Sequence, residues 1–150
     1  MTKIQGPNKI IIAKENNKKQ VFLGGTCSKS TWRDDLLKLL DEEKVSFFNP
    51  VVKNWTPEDQ KEEIRQRNIS DYVLFVITPK MTGVYSIAEL VDDSNKQPDK
   101  TLFCYLKKDE EKEFDESQTK SLDMVVEMVE KNGGRVFENL KEIAEFLNKG

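Results

Sequence analysis

Residues 72–77 (Tyr-Val-Leu-Phe-Val-Ile) form an unbroken apolar run, closed on one side by Asp71 and on the other by Thr78-Pro79. A strand with one wet face alternates polar and apolar positions. A run without a polar position predicts a central parallel strand covered on both faces. Around it the chain alternates between strand-like and helix-like segments. Short apolar runs at 9–13 and 20–23, separated by a turn-rich stretch, read as an opening hairpin. Ser30 is a plausible cap for a helix carrying Trp32, Leu36, Leu39 and Leu40 on one face. Residues 45–48 read as a strand, Thr56-Pro57 as a helix start, and a loop from Thr78 leads into a helix near Tyr85. Residues 101–106 and 135–137 complete the strands. Leu122, Val125, Val126 and Val129, and then Leu140, Ile143, Ala144 and Leu147, mark two amphipathic helices. The pattern predicts a doubly wound α/β domain over residues 1–150. Its sheet is mostly parallel and five-stranded, with helices on both faces and an N-terminal hairpin strand in addition.

Composition narrows the chemistry. Among 150 residues there is no histidine, which excludes Ser-His-Asp and Cys-His catalysis and the common histidine-based metal sites. The two cysteines, Cys27 and Cys104, cannot build a zinc site alone and read as reduced thiols of a cytoplasmic protein. A net charge of −3 argues against a duplex-binding surface, and no apolar run approaches the ~20 residues needed to span a bilayer. Carboxylates therefore become the first candidates for catalysis, with no metal or organic cofactor expected.

In a doubly wound sheet, ligands bind beyond the carboxyl ends of the strands, near the reversal of strand order. That directs attention to residues 24–30, 49–55, 78–89 and 107 onward. Gly24-Gly25-Thr26 is a turn where backbone can approach a ligand closely, and equally a plain strand-to-helix connection. Glu89 falls about one turn inside the helix that follows the apolar strand, where the helix dipole favours a carboxylate. Such a residue suits an anionic nucleophile, or serves only as a dipole partner. Glu62, Glu63 and Asp71 flank the preceding helix, which has only Ile64 and Ile69 as sizeable apolar residues. Its polar face either lines a cleft or is simply solvated. Trp55, Tyr85 and Phe48 are candidates for stacking on a base. Cys27 ranks below Glu89 without a histidine base, and residues 107–113 read as a charged, solvated loop. Candidate substrate contacts are Gly24, Gly25, Thr26, Asn49, Asp71, Gly83, Tyr85 and Ser86.

Taken together, Val21-Phe22-Leu23-Gly24-Gly25-Thr26, Phe48-Asn49-Pro50, Ser70-Asp71 with the apolar strand, and Gly83-Val84-Tyr85-Ser86-Ile87-Ala88-Glu89-Leu90 resemble the nucleoside 2-deoxyribosyltransferase-like family across residues 20–106. The resemblance implies a flavodoxin-like fold and cleavage of an N-glycosidic bond in a small-molecule nucleoside or nucleotide. It implies Glu89 as the nucleophile, Glu63 as the proton donor to the departing base, and the Gly24–Thr26 turn as part of the nucleoside site. It further implies a homo-oligomer, with residues 132–137 near a neighbouring site. The chain departs from the family at Gly83, where an aspartate is common, and at Val91, where glycine often follows Glu-Leu. Ser86-Ile87-Ala88-Glu89-Leu90 also fits the Ser-x-x-Glu-Leu context of Toll/interleukin-1-receptor-like domains, whose enzymatic members cleave NAD. A nucleotide-binding module without turnover is the third reading.

Overall fold

A computed structural model describes residues 18–27 and 29–150. The predicted hairpin partner at 9–13 lies outside them. The elements in chain order are β1 (Lys19–Gly25), α1 (Trp32–Leu37), β2 (Val45–Phe48), α2 (Pro57–Ile69), β3 (Tyr72–Ile77), α3 (Tyr85–Lys96), a 3₁₀ turn (Pro98–Lys100), β4 (Thr101–Tyr105), β5 (Lys108–Asp109), β6 (Lys112–Glu113), α4 (Glu116–Asn132), β7 (Arg135–Val136) and α5 (Leu140–Leu147). Among the described residues, five strands form one sheet in the order β2-β1-β3-β4-β7, every pair parallel. This is the flavodoxin-like order, whose switch point lies between β1 and β3. No helix among the described residues is long and apolar enough to cross a membrane.

The apolar strand is the middle of the molecule, as its sequence requires. Leu74 and Val76 pack on one face with Val21, Leu23, Trp32 and Leu36, against α1 and α5. Val73, Phe75 and Ile77 pack on the other with Phe22, Leu90, Leu122 and Val129, against α3 and α4. Each of these strand residues is fully buried. At roughly 25 cal/mol per Å² of apolar surface, this two-sided burial is the main stabilising term.

α2 docks by a different route. Ile64 and Ile69 are both exposed, so no apolar stripe holds it. Gln20 Nε2 instead donates to Gln66 Oε1 (2.6 Å) and to Ser70 Oγ (2.9 Å), both buried. Lys100 Nζ reaches the carbonyl of Asn68 (2.8 Å). Polar groups buried in mutual hydrogen bonds avoid the desolvation cost of unpaired ones, and so a polar helix can lie on the sheet. Its start matches the sequence signal. Thr56 and Asp59 form a reciprocal capping box ahead of Pro57.

Three local expectations change. Thr31, not Ser30, occupies the cap of α1, and its side chain makes no capping bond; Ser30 Oγ donates to Asp109 Oδ2 (2.6 Å). α1 ends at Leu37, which leaves Leu39 exposed. The charged stretch at 107–113 is not a free loop, because β5 and β6 pair antiparallel within it. Lys80 salt-bridges Asp109 and Glu110 there, which ties the hairpin to the loop after β3.

Candidate active site

Beyond the carboxyl ends of β1 and β3 the chain turns to opposite faces of the sheet, into α1 and α3, and a cleft of about 370 Å³ lies at this switch point. Gly24, Gly25, Thr26, Glu63, Gly83, Tyr85, Ser86 and Glu89 all line it, so eight of the ten predicted site residues converge. The turn at its base requires glycine. Gly25 has φ +111°, and a Cβ there would lie 2.1 Å from the carbonyl oxygen of Val76. Thr26 then fastens the two strand ends together: its N–H donates to Val76 O (2.8 Å) and its hydroxyl accepts from Thr78 N (2.9 Å). Its hydroxyl is thus engaged within the protein.

Two predicted residues are not brought to the cleft. Asp71 stands at the amino end of β3, where its Oδ2 accepts the N–H of Gln20 (2.9 Å). The residue that opens a parallel strand lies at the end opposite to the ligand crevice, so the structure places Asp71 away from the cleft, where it fastens β3 to β1. Asn49 follows β2, is exposed, and turns its Oδ1 back to accept from Val51 N (3.0 Å). That bond organises the loop, whose Pro50, Val51, Val52 and Trp55 do line the cleft. Phe48 stacks on Phe22 with centroids 5.7 Å apart and serves as packing rather than as a base platform. Trp55 and Tyr85 are exposed at the rim.

The charges are arranged by two helices that the side chain of Arg67 bridges. Glu63 and Arg67 are four residues apart on α2, and Glu89 and Asp93 are four apart on α3, so each pair shares a helix face. Arg67 Nη1 donates to Glu89 Oε2 (3.1 Å), Nη2 to Asp93 Oδ1 (2.9 Å), and Nε to Asp93 Oδ2 (3.3 Å). The Asp93 side chain is 5% exposed and that of Glu89 20%. Burial pushes the Glu89 carboxyl above the ordinary carboxylate range; Arg67 opposes this, while Glu63 and Asp93 add to it. Glu63 Oε2 accepts from the indole N–H of Trp55 (3.3 Å). Its neighbour Glu62 faces elsewhere, and a hydrogen bond from Arg65 holds its carboxyl below the usual range.

Sequence reasoning overlooked Arg67, Asp93 and Arg33. The first two carried a signal, the i, i+4 charge pairs on helices flanking one strand. Arg33, 6% exposed, lines the cleft from α1 and donates to the carbonyls of Leu23 (2.9 Å) and Thr26 (2.7 Å). Burial lowers its pKa from the ordinary guanidinium value. Cys27 is exposed on the cleft wall, whereas burial pushes the Cys104 thiol up to about 12.

Residues 18–109 match the family model described as nucleoside 2-deoxyribosyltransferase like, a span that contains every cleft residue named above. No individual curated protein matches the sequence. A parallel sheet in flavodoxin-like order, a cleft at its switch point and a family match over more than half of the chain agree: the protein belongs to the nucleoside 2-deoxyribosyltransferase-like family.

Proposed function

We propose that the protein cleaves the N-glycosidic bond of a 2-deoxyribonucleoside or its nucleotide and passes the sugar to a second nucleobase or to water. Glu89 attacks the anomeric carbon as the bond to the base breaks, giving a glycosyl ester on the carboxylate. Glu63 gives its proton to the departing base. An incoming base, or water, then displaces Glu89 and returns a proton to Glu63. The oxocarbenium character of such a step calls for an adjacent carboxylate to stabilise and trap the sugar, and for a second carboxyl to neutralise the leaving group. The observation that carries the reading is the convergence of two acids from different helices, Glu89 and Glu63, on one cleft at the switch point. Trp55 and Tyr85 at its rim offer exposed rings against which a base can lie. The free cysteines Cys27 and Cys104 favour a cytoplasmic setting for this chemistry.

Chromatography of purified protein with deoxyadenosine or deoxycytidine, a different free base, and NAD in a parallel reaction tests the proposal. A new deoxynucleoside, or free base alone, is the expected product. Nicotinamide released from NAD would assign the cleft to NAD cleavage instead. A folded protein that turns over none of these substrates would overturn the enzymatic reading and leave a binding module.

A further inference from the structure

Arg67 faces two carboxylates with one positive charge. The division is unequal. Asp93, nearly buried, receives two of its N–H groups and also accepts from Gln97 Nε2 (3.2 Å). Glu89 receives one N–H, on Oε2. Among the described residues no group donates to Glu89 Oε1, and Glu89 lines the cleft. A planar guanidinium gripped by a buried carboxylate has little rotational freedom, so the direction of its remaining N–H is fixed by the fold.

We infer that Arg67, anchored by Asp93, is the positioning residue of this site: it ties back Glu89 Oε2 and presents Oε1 as the attacking oxygen. The kinetic side of this inference rests on Glu89 acting as nucleophile; the electrostatic side does not. The charged groups facing Glu89 are Arg67 and Glu63 from α2 and Asp93 from its own helix, with Arg33 lining the same cleft from α1. Asp93 competes with Glu89 for the charge of Arg67. Neutralising Asp93 therefore leaves Glu89 with the whole cation and eases its ionisation, whereas neutralising Arg67 makes ionisation harder. A pair serving only to hold two helices together would give the same opposition of sign but would leave kcat unchanged in Arg67→Lys, so the rate is what separates positioning from mere tethering.

The test is an NMR titration of the Glu89 side-chain carboxyl in the substrate-free protein, for Asp93→Asn, Arg67→Gln and Arg67→Lys, with the pH profile of kcat beside it. The Glu89 midpoint is expected to fall in Asp93→Asn, to rise in Arg67→Gln, and to stay near wild type in Arg67→Lys, which keeps the charge. With a fork replaced by a point charge, Arg67→Lys is also expected to lose roughly 10- to 100-fold in kcat with KM little changed, the scale of a misplaced reacting group. Midpoints that shift in the same direction in Asp93→Asn and Arg67→Gln, or do not move, would overturn the inference. So would full kcat in Arg67→Lys in an active protein. An inactive wild type with opposed midpoints would remove the proposed reaction yet keep the clamp. If Arg67→Gln does not fold, Asp93→Asn and Arg67→Lys still decide by the sign and the size of their shifts.

Discussion

The two ends of β3 treat a carboxylate in opposite ways. At the amino end, Asp71 accepts a backbone N–H from the neighbouring strand and so secures register. Past the carboxyl end, Glu89 is drawn into a half-buried cleft where one shared cation compensates it incompletely, and its affinity for a proton rises. A carboxylate paired with fixed backbone donors contributes to stability. One desolvated beside two other acids costs stability, and such tension is typical of functional sites. The same residue chemistry thus yields a fastener at one end of a strand and an under-compensated, proton-attracting group at the other, and position relative to strand direction decides which.

Substitutions at the two ends should separate these roles. The largest effect is expected for Glu89→Gln: a loss of activity on the order of 10⁴-fold, as for removal of other nucleophiles, measured as product formed per enzyme. The same variant should be more heat-stable than wild type at neutral pH. The folded-state pKa of Glu89 is raised above its unfolded value, so the ionised carboxylate opposes folding at neutral pH. That cost is relieved as pH falls through the folded value and is gone below the unfolded one. The Tm advantage should accordingly shrink in acid, in melts recorded across the acidic range. Asp71→Ala should do the reverse: a loss of about 1–3 kcal/mol in denaturant melts, with kcat unchanged. The smallest effect is expected for Gly83→Ala, within about 0.5 kcal/mol. A Cβ at Gly83 meets nothing within 4 Å, so the site is open where Gly25 is tight.

Much of the architecture is legible from residues alone. The apolar run at 72–77 coincides with β3 and Thr56-Pro57 with the start of α2, and the glycine turn read at Gly24-Gly25 carries a positive φ at Gly25. These signals are local: a two-sided core position, a side-chain cap and a positive φ each leave their mark on nearby sequence. The cleft is legible where it follows directly from strand ends, as at Gly24, Gly25 and Glu89. The place of Asp71 away from the cleft follows from the sequence itself, since an acid preceding a parallel strand sits at the end opposite the crevice. Arg67 and Asp93 are harder. Their charges matter only because the fold brings α2 within side-chain reach of α3, and that is a property of the whole sheet order. The hairpin at 107–113 was obscured for a similar reason. Its two-residue strands carry no hydrophobic alternation, and its anchors, Lys80 and Ser30, come from distant loops.

The central claim is that Glu89 forms the bond to the sugar. Its most direct test is intact-protein and peptide mass spectrometry after incubation with a 2-fluoro-2-deoxy nucleoside, which slows release of the sugar from a carboxylate ester. The account predicts a mass increase equal to the glycosyl group, located on the peptide that contains Glu89, absent in Glu89→Gln and lost when a free base is added. An adduct on another residue, or turnover of the natural substrate without any adduct, would contradict it.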